Sequence, residues 1–188
     1  MDDAALLRRF RSDLLRNRHN AAILARWADL ELPDGWLVAG CLFQTVWNLQ
    51  AGRPPESGIR DYDLFYFDDH DLGADAERAV QARCEAVLAD LGVTVEVINQ
   101  ARVHLWYEAD FGRPYQPLGS SRDGIARFLV PATCVGVRPW ETCAPYGLDR
   151  LYRGELGMNP LVPHRELFEA KAASYRARWP ALTIVDPA

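Results

Sequence analysis

Two acids and a glycine, set around short apolar runs, limit what this chain can fold into more than any other feature. Trp36-Leu37-Val38-Ala39 is long enough only for a short buried strand. It passes directly into Gly40-Cys41 and a stretch to about Gln50 in which Leu42, Val46 and Leu49 recur at helical spacing. Beyond the loop Gly52-Arg53-Pro54-Pro55-Glu56-Ser57-Gly58, Asp61-Tyr62-Asp63 opens a second apolar run, Leu64-Phe65-Tyr66-Phe67. Side chains alternate across a strand, so the two acids face the same side, about 6–7 Å apart. At that separation they repel by roughly 2–3 kcal/mol at an effective dielectric of 20. Beside four large apolar residues, a divalent cation stabilises such a pair far better than nothing. Gly40, lacking Cβ, lets a phosphate approach the N–H groups of a helix start. Plainer readings stay open here: acids that begin a strand in solvent, and a glycine that makes a tight turn.

The remaining pattern surrounds this segment with helices. Residues 3–16 predict an amphipathic helix with Leu7, Phe10 and Leu14 on one stripe. A second helix carries Ile23, Trp27 and Leu30 and ends before Pro33-Asp34-Gly35. A long helix from about Ala74 has Val80, Cys84, Val87, Leu88 and Leu91 inward and Gly92 at its end. Val93–Ile98 and 101–107 predict two strands joined at Asn99-Gln100. A short helix near 123–128, a strand near 134–137 and a final helix carrying Phe168, Ala172, Tyr175 and Trp179 follow. The expectation is one α/β (α+β) domain over residues 1–188. A small mixed sheet in a core of about 35–138 is flanked by helical parts at 1–32 and 140–188.

Composition closes off several function classes. At 188 residues with 49% apolar and 25% charged side chains, the chain can bury an ordinary core. Its apolar runs fall far short of the roughly 20 residues that a membrane helix needs, so no membrane partner is expected. The start Met1-Asp2-Asp3 lacks the parts of a secretory signal, and four cysteines without a C-x-x-C pair suit reduced thiols, together predicting a cytoplasmic protein. A net charge of −5 argues against a broad nucleic-acid surface. Six arginines face four acids in the first thirty residues, which a solvated helix face explains.

These segments together resemble the polymerase-β superfamily of nucleotidyltransferases. Its signature is an apolar strand, a Gly-Gly or Gly-Ser at a helix start, a D-x-D entering the next strand, and a third acid from a later one. The chain is more closely similar to a bacterial family of uncharacterised nucleotidyltransferase-like proteins. Val38-Ala39-Gly40-Cys41, Gly52-Arg53-Pro54-Pro55, Asp61-Tyr62-Asp63-Leu64-Phe65-Tyr66-Phe67-Asp68, Asn99-Gln100-Ala101-Arg102-Val103-His104-Leu105-Trp106-Tyr107 and Trp179-Pro180-Ala181-Leu182-Thr183 carry that likeness. The resemblance implies a polymerase-β-type core with Asp61 and Asp63 as catalytic, metal-binding acids. Glu96, the lone charge in Val93–Ile98, is the third, with a solvated edge-strand position as its alternative.

Gly40 matches the phosphate-turn glycine. Cys41 stands at the usual serine or glycine position, where a thiol is a weak donor. Arg60, directly before the D-x-D, and Arg122, beside Ser120 and Ser121 in a polar loop, are further nucleotide-binding candidates; a solvated position explains Arg60 equally, and an ordinary turn is the default for the loop of Arg122. Asn99, Gln100, Arg102 and His104 are candidates for orienting an acceptor, with hairpin capping and surface packing as the plain alternatives. The implied cofactor is a pair of Mg²⁺ ions, or Mn²⁺. The implied reaction is transfer of a nucleoside monophosphate from a nucleoside triphosphate to a hydroxyl on a small molecule, a protein or an RNA end. Two rivals remain: a nucleotidyltransferase fold kept as an inactive nucleotide-binding or protein-interaction module, and a sugar-nucleotide glycosyltransferase using Asp69 and Asp71.

Overall fold

The computed structural model describes residues 2–185. In chain order the elements are α1 (Asp3–Leu14), α2 (Arg18–Ala25), α3 (Trp27–Leu30), β1 (Trp36–Val38), α4 (Gly40–Gln50), β2 (Asp61–Tyr66), α5 (Ala74–Leu88) and β3 (Thr94–Asn99). They continue with α6 (Val103–Phe111), α7 (Ser121–Ile125), β4 (Gly136–Arg138), β5 (Glu141–Cys143), α8 (Asp149–Arg153), β6 (Glu155–Leu156), α9 (Arg165–Arg178) and β7 (Thr183–Ile184). The five-stranded sheet has the order β3-β2-β1-β4-β5. β2 and β3 are parallel, joined by α5, and every other neighbouring pair is antiparallel. The result is a mixed α/β fold with helices before and after the sheet. β6 and β7 form a separate two-stranded parallel ladder.

Alternation along the strands gives the sheet two faces. One carries Leu37, Tyr62, Leu64, Tyr66, Val95, Val97 and Val137 into the main buried cluster, which runs from Leu6 to Leu182. The other packs Trp36, Val38 and Phe65 against Ile125 and Cys143. Asp61 and Asp63 belong to this second face, because Val38 pairs with Asp63 and Trp36 with Phe65. All four cysteines are free and buried.

β3 is the sheet edge, and α5 covers its backbone. Gln81 donates to Val95 O at 2.7 Å and accepts from Val97 N at 2.7 Å, while Glu77 accepts from Asn99 N at 2.9 Å. Side-chain amide and carboxylate thus replace a neighbouring strand, which blunts the edge.

Several expectations are corrected. Residues 101–107 form no strand: a short 3-10 turn over Gln100–Arg102 leads into the helix α6. Asn99 starts it, accepting from Ala101 N at 3.1 Å as a capping residue. In α1 the buried stripe is Leu6, Phe10 and Leu14, with Leu7 outside it; both sets satisfy helical spacing. The second helix divides at Arg26 into α2 and α3.

Candidate active site

β1 ends and β2 begins at the same edge of the sheet, and there the chain turns into α4. Ala39, the residue between β1 and α4, has φ 59° and ψ −131°. That conformation suits glycine, and for alanine it stores strain. The glycine that a two-residue Gly-Gly or Gly-Ser turn requires for backbone reasons therefore belongs at position 39, and Gly40 is its small second residue. Gly40 and Cys41 are the first two residues of α4. Cys41 is fully buried, its thiol donating to Val38 O at 3.2 Å, and burial pushes that thiol well above the ordinary range. Its side chain faces the core.

A cleft of about 840 Å³ opens over this turn, lined by Ala39, Gly40, Gln44, Asp61 and Asp63. Burial pushes the Asp63 carboxyl up to about 7, and the neighbouring charges of Asp61 and Glu96 add to this. Lys171 and the backbone N–H of Gly40 pull the other way. Glu96 lies opposite Asp63 in the parallel register, so the three carboxylates share one sheet face. Glu96 is exposed at the sheet edge and is not part of the cleft wall.

The far wall of the cleft comes from parts of the chain that sequence reasoning did not single out. Lys171, Ser174 and Arg178 project from one face of α9, and Arg127 enters after α7. Arg60 is in the wall as expected. None of Arg60, Lys171 and Arg178 has a carboxylate within 4.0 Å among the described residues. Burial holds the Arg178 guanidinium below its usual range, and repulsion from Arg60 and Arg53 adds to this. Several contacts hold this wall against the turn, among them Arg178 donating to Gly58 O at 3.0 Å and Arg53 donating to Arg178 O at 2.8 Å. Asn48 of α4 donates to Pro55 O at 3.0 Å and Ser57 O at 2.9 Å, fixing the loop that carries Arg60. Trp179 donates to Asn48 at 3.0 Å and packs edge-on against Trp47, tying the end of α9 to α4. The only sequence signal for Lys171, Ser174 and Arg178 is their i, i+3, i+7 spacing, which a solvated helix face shares.

The remaining candidates lie elsewhere. Arg122 contacts Glu141 and lies 4.8 Å over the Trp36 ring, away from the cleft lining. Asn99 is buried and tied to Asp68, accepting from its N–H at 3.1 Å and donating to its carbonyl at 2.8 Å. Gln100 is buried, donates to Ile98 O at 3.4 Å and packs on Gly124. Arg102 is engaged with Glu77 and Leu72 O. His104 is half-buried outside the cleft, its Nδ1 without a hydrogen-bond partner among the described residues. None of these five is among the residues that line the cleft.

Asp68, Asp69 and His70 are the one group of three metal-type side chains with donor atoms within 4.8 Å of one another among the described residues. Asp61, Asp63 and Glu96 stand farther apart than that. The Asp68 group lies past the other end of β2 as a turn: Asp68 accepts from His70 N at 3.0 Å, and Asp71 from Gly73 N at 2.8 Å. Neither Asp69 nor Asp71, the residues of the glycosyltransferase alternative, lines the cleft.

A mixed sheet whose paired strand acids face a small-residue turn into a helix defines a nucleotidyltransferase-type fold. Consistent with this, the chain is similar to a solved structure described as the NMR structure of a protein revealing a CCA-adding enzyme head domain. The TM-score is 0.75 at 23% identity, covering 97% of this chain and 95% of that one. A family model described as Nucleotidyltransferase matches residues 25–184, and the chain belongs to that family. None of the curated proteins matches it. No helix among the described residues is long and apolar enough to cross a membrane.

Proposed function

We propose that this cleft transfers a nucleoside monophosphate from a nucleoside triphosphate to a hydroxyl acceptor. One observation carries the reading: Asp61 and Asp63 share a single cleft with the Gly40 turn and with Arg60, Lys171 and Arg178, cations without carboxylate partners. The Gly40 end of α4 and these cations would hold the polyphosphate, supplying positioning and charge complementarity, the main demands of phosphoryl chemistry. Ala39, Gly40 and the apolar side chains Phe43 and Leu167 would exclude water from the reacting groups.

The donor set suits a hard divalent cation. Asp61, Asp63 and Glu96 bring hard oxygen ligands, and burial together with their mutual repulsion raises the Asp63 carboxyl. Asp61 and Asp63 would hold Mg²⁺ or Mn²⁺, with Glu96 the third acid from the sheet edge. When bound, such an ion neutralises triphosphate charge and lowers the pKa of an acceptor hydroxyl.

The wider spacing of the three acids, and the exposure of Glu96, favour a second reading in which the cleft binds nucleotide without turnover. Incubation with Mg²⁺, labelled triphosphates and fractionated small-molecule, protein and RNA acceptors separates the two. Transfer should fall at least about a hundredfold in Asp61→Ala/Asp63→Ala, given the several kcal/mol of charge stabilisation removed. Product that persists in the double variant removes the mechanism, and binding without product from any acceptor favours the second reading.

A further inference from the structure

The helix α6 spends almost none of its apolar surface on the core. Of its nine residues only Val103 is buried, although it carries Leu105, Trp106, Tyr107 and Phe111. Two of these rings are set one turn apart and face the cleft: Tyr107 and Phe111 line it together with Asp61 and Asp63. Their centroids lie 4.6 Å apart with planes inclined by 38°, and Phe111 remains 49% exposed. Tyr115 packs on the other side of Tyr107, at 4.3 Å and 36°. Arg127 lies 5.2 Å over the Tyr115 ring and also reaches the cleft. The arrangement is a short aromatic wall in which Phe111, the half-exposed ring, is backed by Tyr107, Tyr115 and a guanidinium.

Rings left half-exposed in a cleft forgo part of the roughly 1.5–3 kcal/mol that burying each would supply, which an internal packing role does not explain. Planar apolar surface beside a cationic, acid-bearing pocket is complementary to a molecule that joins a flat heterocycle to a polyphosphate. We infer that Phe111, with Tyr107 stacked behind it, carries the nucleobase of the triphosphate donor while its phosphates lie toward Gly40 and α9. This rests on the nucleotide-binding reading above and adds to it where the base goes. Stacking uses a π-face that every base has, so the wall would accept purines and pyrimidines alike, favouring the larger purine.

The test measures binding of ATP, UTP and inorganic tripolyphosphate in Mg²⁺ to wild type, Tyr107→Ala, Phe111→Ala and Tyr107→Phe, with thermal unfolding of each variant as a control. Phe111→Ala should bind ATP about tenfold or more weakly, the scale of a lost base–aromatic stack, and Tyr107→Ala should weaken ATP binding as well by removing the ring that supports Phe111. UTP should weaken less, tripolyphosphate binding should be unchanged, and Tyr107→Phe should keep the wild-type ATP affinity. Unchanged ATP affinity in the alanine variants overturns the inference, as does a parallel loss of ATP and tripolyphosphate. If wild type binds neither ATP nor tripolyphosphate, the nucleotide-binding reading fails as well, and that failure is visible before any variant is made.

Discussion

Asp63 is the residue in which sequence, burial and charge meet most directly. Its carboxyl titrates near 3.8 in an unfolded chain and is pushed up to about 7 in the fold by burial, Asp61 and Glu96. The metal-free folded protein therefore binds this proton more tightly than the unfolded chain does. The stabilisation is complete below pH 3.8 and is lost as pH rises through about 7. Asp63→Asn should abolish this slope. At pH 8 the variant should be more stable than wild type, by on the order of 2–4 kcal/mol. Denaturant titrations should show the gap closing toward pH 4, and Mg²⁺ at pH 8 should stabilise wild type but not the variant. Ala39 makes a second prediction at this scale. Its φ of 59° costs an alanine about 1–3 kcal/mol, against roughly 0.5–1 kcal/mol of extra chain entropy lost by a glycine. Ala39→Gly should stabilise the protein by about 1 kcal/mol, read from the shift of the denaturation midpoint.

At the scale of elements, the sheet edge is held by side chains of a helix. Gln81 stands in for a missing strand through two hydrogen bonds of 2.7 Å to β3. Gln81→Ala should cost about 1–3 kcal/mol, and amide exchange should quicken at Val97 while the interior strand β1 is unaffected. The same scale shows what a one-dimensional pattern conveys. β1, the turn and β2 were legible because an alternating strand and a small-residue helix start are local events. α6 was not, because Val103, Leu105 and Tyr107 alternate as a strand would, and the deciding feature, the Asn99 cap, also reads as a turn residue. The strained residue of the turn into α4 was not legible for a related reason. Only the sign of φ at Ala39 shows which of two adjacent residues is the turn glycine's equivalent.

For the whole molecule, the distribution of charge matters more than its sum. The chain carries −5 overall, yet Arg60, Arg127, Lys171 and Arg178 face only Asp61 and Asp63 across the cleft. Such a basin attracts an anion into an otherwise acidic protein and suits a small polyanion better than a long nucleic acid. The acidic half of the site was legible in the sequence because its residues lie within a few positions of each other. The cationic half was not: α9 begins about a hundred residues after β2 ends, and tertiary packing that includes Trp47, Asn48 and Trp179 brings it across.

The most direct measurement is calorimetric titration of Mg²⁺-ATP into wild type, Asp61→Asn/Asp63→Asn and Lys171→Ala/Arg178→Ala. One cleft holding both charges predicts binding to wild type that needs Mg²⁺, loss of that Mg²⁺ dependence in the aspartate variant, and weakening by about tenfold or more in the cation variant. Wild-type affinity in both variants, with the Mg²⁺ requirement intact, would contradict it.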